Sequence, residues 1–404
     1  MPRRSKRWCG LLGCLLLTLL VQLPSNAWEI ETHVDMGRYS LTGYVAFVNA
    51  NPDQAVGANT LANYWNDVEQ YLVQEDLDSF LLIDQLNVVN HFWDPYNDVT
   101  IQVTGFPGLI ESAKDRADRL FPNAIQQYQS GRYPEAFQSL GRVCHLVQDM
   151  SCPAHTLLDP HLERANDVWG RVKQWVGTHV FTLANACDPL LYDDADLLHQ
   201  YANIPGRRVH WDGFSPIAAG GDLVSIMRPL ARLSKGFDSD DCDGTVDLGS
   251  RRYQGLSGPE LDEIIRTVMP EGEKSVAAVF KLFFEYVRPP TPVLRQPEEG
   301  KIYSGLAGVP LHVEVRPPQG SSNLRSLRIE YQDQESTQPD QWHVIKAISI
   351  MGDTVVDERW FNTIDSGQVT LRTVAVDAAA CESLPDLVNI KIDSTPPMIW
   401  NKRP

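Results

Sequence analysis

His145, Asp149 and His155 are spaced to do chemistry together, within the run His-Leu-Val-Gln-Asp-Met-Ser-Cys-Pro-Ala-His. His145 and Asp149 are four apart, so a helix puts them on one face a turn apart, and Pro153 breaks that helix just before His155. Two imidazoles and a carboxylate so placed suit a metal ion that accepts nitrogen and oxygen donors. The competing reading is a buried His-Asp pair followed by an unrelated loop histidine. The rest of the chain bears on that choice.

Further candidates lie on both sides. Upstream, Asn90-His91-Phe92-Trp93-Asp94-Pro95 closes a turn, because Pro95 biases Asp94 away from helix, and His91 sits on its inner side. His33 lies near the start, and Glu75, Asp76 and Asp78 form an acidic patch that by itself reads as a solvated loop. Downstream, Asp159-Pro160-His161 precedes a helical pattern from Glu163 to Trp175, in which Glu163 and Asp167 share a face. His199 and His210 have no neighbouring carboxylate pattern and receive no role. The acidic run from Asp238 to Asp247 is either a calcium loop using Asp241 and Asp243 or a solvated turn. Its EF-hand register puts Ser239 first and Ser250 last, where Asp and bidentate Glu belong.

Helices must position these groups. Phe137, Leu140, Cys144 and Val147 recur at three- and four-residue spacing and predict a helix from about Pro134 to Met150, with an apolar face beside the His145/Asp149 face. Similar patterns run over Met36–Phe47, Leu61–Leu72 and Leu109–Leu120. A last one begins at Leu261, is expected to break at Pro270, and resumes through Val287. Beyond Pro289, Pro290 and Pro292 the texture changes to short alternating runs: Leu311–Val315, Leu327–Tyr331, Val369–Val376 and Val388–Ile392. The fold class expected is therefore multi-domain: an all-α metal-binding domain over 28–288, a Pro-rich linker over 289–296, and an all-β sandwich over 297–404.

At 404 residues the chain exceeds one usual core, and 43% apolar with 22% charged residues is ordinary for globular protein. Residues 1–27 read as a secretory signal: Arg3, Arg4, Lys6 and Arg7, an apolar run from Leu11 to Val21, then Ser25-Asn26-Ala27 before a mature start at Trp28. A secreted or periplasmic product is expected; a lipoprotein reading at Cys14 has too short an apolar stretch before it. The net charge of −17 becomes more negative on cleavage, which opposes binding of duplex DNA or anionic membrane by bulk electrostatics. Five cysteines remain, an odd number without zinc-finger spacing, so they are not a disulfide framework.

Taken together, Trp28 exposed by cleavage with His33 nearby, the Asn90–Pro95 motif, and His145-x3-Asp149-x3-Pro153-x-His155 resemble the zinc-dependent phospholipase C family and the related fungal single-strand nucleases. The resemblance covers about 28–288. The close at Ile392–Pro397 resembles bacterial Ig-like or fibronectin-type repeats, modules that bind or space; a surface or carbohydrate ligand for it stays open. The family implies an all-helical fold holding two to three zinc ions, bound partly through the first mature residue, so the precursor should be inactive. By similarity, His91, His145, Asp149 and Asp76 hold one ion, with Glu75 or Asp78 as alternatives to Asp76. Trp28, His33 and the shared Asp149 hold its partner, and His155, His161 and a carboxylate hold the third. That last carboxylate departs from the family spacing, since Ala165 stands four after His161. Asp167 is the preferred substitute and Glu163 the runner-up.

What the resemblance implies is hydrolysis of a phosphodiester by metal-bridged hydroxide, with Asp76 orienting the water or taking its proton. Phosphatidylcholine-like phospholipids come first as substrate and single-stranded nucleic acid second. A non-catalytic, zinc-stabilised binding protein is the third reading. Rival catalytic motifs are thin: the chain has no Gly-x-Ser-x-Gly elbow and no complete phosphate-binding loop.

Overall fold

A computed structural model describes residues 30–77, 90–103, 110–158, 181–182, 202, 207–217, 221–237, 258–316, 323–334, 341–350, 352–361 and 366–395. A helical region is followed by an all-β region.

The helices are α1 (Ile30–Ala50), α2 (Ala58–Asn63), α3 (Trp65–Leu77), α4 (Ala113–Gln129), α5 (Tyr133–Asp149), α6 (Pro153–Leu157), α7 (Leu223–Ser234) and α8 (Gly258–Val287). A two-residue ribbon, β1 (Gln102–Val103) against β2 (Phe181–Thr182), lies among them. Helix α5 carries the apolar spacing read from the sequence, but from Val143 to Asp149 every residue is buried. A helix enclosed all round is central rather than amphipathic. Aromatic contacts join its neighbours: Phe137 stacks on Tyr64 and meets Phe283 edge-on, while Phe280 of α8 contacts Tyr44 and Trp65. Gly141 is what lets α3 approach, since a Cβ there would strike the Val68 carbonyl oxygen and Tyr71.

Two expectations are corrected. Helix α8 runs unbroken through Pro270, because Leu261, Ile264, Ile265 and Val268 before it and Val276, Val279 and Phe280 after it are all buried. Burying side chains of that size contributes about 1.5–3 kcal/mol each, enough to outweigh a proline cost of about 3 kcal/mol. Within the expected linker, Val293–Gln296 forms strand β3, paired antiparallel with β5 and burying Leu294.

The other strands are β4 (Ile302–Ser304), β5 (Val309–Val315), β6 (Leu324–Asp333), β7 (His343–Ser349), β8 (Thr354–Trp360), β9 (Ser366–Asp377) and β10 (Asp386–Asp393). They form a five-stranded sheet in the order β4-β10-β9-β6-β7 and a three-stranded sheet in the order β3-β5-β8. Alternating burial along β5 and β10 places Leu311, Val313, Ile390 and Ile392 in one core with Leu327, Ile329 and Leu371.

Contacts divide the chain into two units that do not follow the sequence order. One contains residues 1–46, 62–126 and 134–283; the other contains Phe47–Leu61, Gln127–Tyr133 and Phe284–Pro404. In the second unit the Tyr128 hydroxyl donates to Asp377 Oδ2 at 2.7 Å, and Asn323 Nδ2 donates to the carbonyls of Tyr128 and Gln129 at 3.0 Å. Gly57, at φ +89°, lies against the Phe284 ring, where any Cβ would collide.

Candidate metal centre

Helix α5 presents His145 and Asp149, both fully buried, and stops at Asp149. Tight turns carry the chain through Ser151, and Cys152, in extended conformation, opens α6 with Pro153 at its first position. Thus Pro153 both ends one helix and starts the next, and α6 delivers His155 back to the site. Helix α6 closes at Leu158 in the left-handed region, φ 62°.

His33 comes from α1 and His91 from the loop 90–99, and both are fully buried. Around Asp149, His91 Nδ1 lies 2.9 Å and His145 Nε2 3.4 Å from Oδ2, while His33 Nε2 lies 3.6 Å from Oδ1. The rings of His33 and His145 stack with centroids 4.0 Å apart, and His145 Nε2 is 3.2 Å from His91 Nδ1. Two donor sets result: His33, His145 and Asp149, and His91, Asp149 and His155, the ligand atoms of each lying within 4.8 Å of one another. Asp149 belongs to both.

The outer atoms of three of these imidazoles are committed. His145 Nδ1 donates to the Leu72 carbonyl at 2.6 Å, His155 Nδ1 to the His91 carbonyl at 2.7 Å, and His33 Nδ1 to Gln148 Oε1 at 2.7 Å. Those oxygens only accept, so Nδ1 carries the proton and Nε2 keeps its lone pair in the neutral ring. That is the arrangement by which second partners prepare histidines as ligands. Burial by itself would raise the Asp149 carboxyl, but His145, His91 and His155 in their protonated forms, with a hydrogen bond from His91, outweigh it and hold the group well below the usual carboxylate range; a cation among the neutral rings would do the same. An anionic oxygen pair among neutral nitrogens fits a divalent ion of borderline softness such as zinc.

The five residues His33, His91, His145, Asp149 and His155 are therefore brought together. Among the described residues His155 lies with His91 and Asp149, whereas the resemblance assigns it to a third ion with His161 and Asp167, which lie outside the described residues. Here the His155 ring stacks on Phe92 at 4.5 Å, and Trp93 N–H donates to the His155 carbonyl, so α6 and the loop hold His155 beside His91. Asp76 is in the last turn of α3, one turn after Leu72, and its side chain lies outside the described residues. Trp28, Asp78, His161, Glu163, Asp167, Asp241, Asp243, His199 and the Glu163–Trp175 segment also lie outside them. Glu75 is buried between Arg116 and Arg142, and although burial opposes ionisation, the two guanidiniums bring its carboxyl down to about 2. Cys144 and Cys152 are both fully buried.

Three further side-chain partnerships are made by the fold. Gln148, one position before Asp149, clamps His33 at both its ring and its carbonyl. Asp94, fully buried, accepts from Lys235 at 2.8 Å. His210, which has no carboxylate pattern beside it in the sequence, has its Nδ1 2.7 Å from Glu273 Oε1 and its ring stacked on Tyr39; burial raises the Glu273 carboxyl despite His210 and the Trp211 N–H. The one local signal was for Gln148, whose place beside the His145/Asp149 face follows from helical spacing.

No family model matches the chain, and no curated protein matches it. Among solved structures it is similar to alpha toxin from Clostridium absonum, at 12% identity and TM-score 0.36, over 89% of this chain and 96% of that one. It is also similar to Clostridium perfringens alpha-toxin isolated from avian strain SWCP, at 11% identity and TM-score 0.35, over 88% and 96%. Likeness at that level leaves the reading of the site to its own side chains.

Proposed function

We propose that this chain is a zinc-dependent phosphodiester hydrolase acting on phospholipids of the phosphatidylcholine kind. The observation that carries the reading is Asp149, a fully buried carboxylate shared by two histidine-rich donor sets. Structural pairing alone does not call for four imidazoles around one carboxylate, and burying that charge is costly unless it is matched.

Bound zinc would supply Lewis acidity toward a phosphoryl oxygen and a hydroxide at neutral pH. The chain's part is to hold the donors. His33 faces Oδ1 of Asp149 and His91 and His145 face Oδ2, with Gln148 and the carbonyls of Leu72 and His91 fixing the rings of His33, His145 and His155. Asp76, at the end of α3, is assigned to orient the attacking water or take its proton. Trp28 joins as the first mature residue after secretion and cleavage, and His161 with Asp167 would complete a third site.

The charge of −17 favours a zwitterionic lipid over a polyanionic nucleic acid, which would be repelled at every phosphate not held by metal.

The test is chain beginning at Trp28, assayed for zinc content and for release of phosphocholine from phosphatidylcholine vesicles, with single-stranded RNA in parallel. Lipid cleavage abolished by chelation and restored by zinc is the expected result. Cleavage of RNA alone would transfer the site to nucleic acid, and zinc bound without cleavage of either would make it a binding protein.

A further inference from the structure

The loop 90–99 and α6 carry two of the five candidate ligands, His91 and His155, and they are tied to each other. His155 Nδ1 donates to the His91 carbonyl, and Trp93 N–H donates back to the His155 carbonyl at 3.1 Å. The loop is then held from outside by α7. Lys235, the C-cap of α7, places Nζ 2.8 Å from Asp94 Oδ2, while Arg228 donates to the Pro95 carbonyl at 2.7 Å and lies over the Trp93 ring at 4.9 Å. Asp94 also accepts from Tyr96 N–H at 2.9 Å and Asn97 Nδ2 at 2.7 Å. Helix α7 in turn packs directly against α6.

We propose that the ion pair between buried Asp94 and half-buried Lys235 is a positioning device for the His91–Asp149–His155 donor set, so that α7 sets the geometry of this metal site without touching the metal. The inference rests on the metal reading above and deepens it by assigning residues outside the ligand ring to one of the two donor sets. An ion pair with one member buried and the other partly exposed adds little net stability. What it does supply is direction: one carboxylate ties the turn at Tyr96, Asn97 and Lys235 at once, three residues from His91. Nothing in the stability of the helices calls for a charge there, since the buried face of α7 is already made by Leu223, Ile226, Met227 and Leu230. The His33–His145 set is held instead by Gln148 and Leu72, on the side of α1 and α3.

The experiment compares chain beginning at Trp28 with Lys235→Met, Lys235→Arg and Asp94→Asn. Zinc per chain and affinity by chelator competition are read for each, with a thermal melt of the metal-free form. Lys235→Met and Asp94→Asn are expected to weaken one ion by about 10- to 100-fold, the range for loss of a second-layer partner, and to leave the other in place. Lys235→Arg should recover most of that loss. The proposal is overturned if Lys235→Met keeps both ions at full affinity with only its melt lowered, or if Lys235→Arg is as impaired as Lys235→Met. Should Lys235→Met fail to fold, Asp94→Asn, which keeps the size and the turn, decides by the same reading. Wild-type chain that binds no zinc would overturn the metal reading itself; wild-type chain with zinc and unaffected variants would overturn only the positioning role.

Discussion

Asp149 is the one charge common to both donor sets, so its replacement separates a ligand role from a packing role. Asp149→Asn keeps the volume and removes the anion; we expect zinc content to fall at both sets and hydrolysis to drop by at least about 10²-fold, measured by metal analysis and phosphocholine release. Glu75 makes a different prediction. Its folded carboxyl lies at about 2, below the ordinary 4.5, because Arg116 and Arg142 outweigh burial. A depressed carboxyl contributes stability above its unfolded value and loses it as pH falls toward the folded one. Stability on the order of 3 kcal/mol should therefore disappear between about pH 4.5 and pH 2, and Glu75→Gln should flatten that part of a urea-unfolding profile. At this scale the sequence was legible wherever partners were neighbours. His145, Asp149 and His155 could be read from spacing on one helix and its break. Glu273 beside His210 and Lys235 beside Asp94 could not, because no local pattern joins residues that only the fold brings together.

Among elements, the contact between α3 and α5 bears on the site directly. Helix α5 holds two ligands, and α3 supplies the Leu72 carbonyl that fixes the His145 ring. Gly141 is the point where the helices touch, and Gly141→Ala would push the Val68 carbonyl away. We expect a loss of about 1–3 kcal/mol from overpacking, together with weaker zinc binding. A stability loss with unchanged zinc affinity would show that α3 does not govern His145. The elements themselves were legible where apolar spacing was long, as in α5, or strictly alternating, as in β5 and β10. Proline is where the sequence pattern misleads. Pro270 predicts a break, but buried residues on both sides carry α8 through it. Pro289, Pro290 and Pro292 predict a linker reaching Gln296, but Leu294 has a core to enter and β5 to pair with.

At the scale of the molecule, the sequence announced a helical part and then a β part, and that order is present along the chain. It did not announce that the unit holding the sandwich also takes Phe47–Leu61 and Gln127–Tyr133 from the helical part. A chain ending at Val287 would leave Tyr128 without Asp377 and the carbonyls of Tyr128 and Gln129 without Asn323. We expect such a chain to show helical far-ultraviolet dichroism, weakened near-ultraviolet dichroism and reduced zinc retention; a fully cooperative, zinc-loaded truncation would contradict this. The same three-segment construction bears on ancestry. A sandwich whose unit includes residues from two distant places upstream would lose those contacts if it were gained or lost by one recombination event at the proline run. Relatives of this chain should therefore keep both parts together, and a transplanted copy of residues 297–404 alone should be a poor passenger on any other protein.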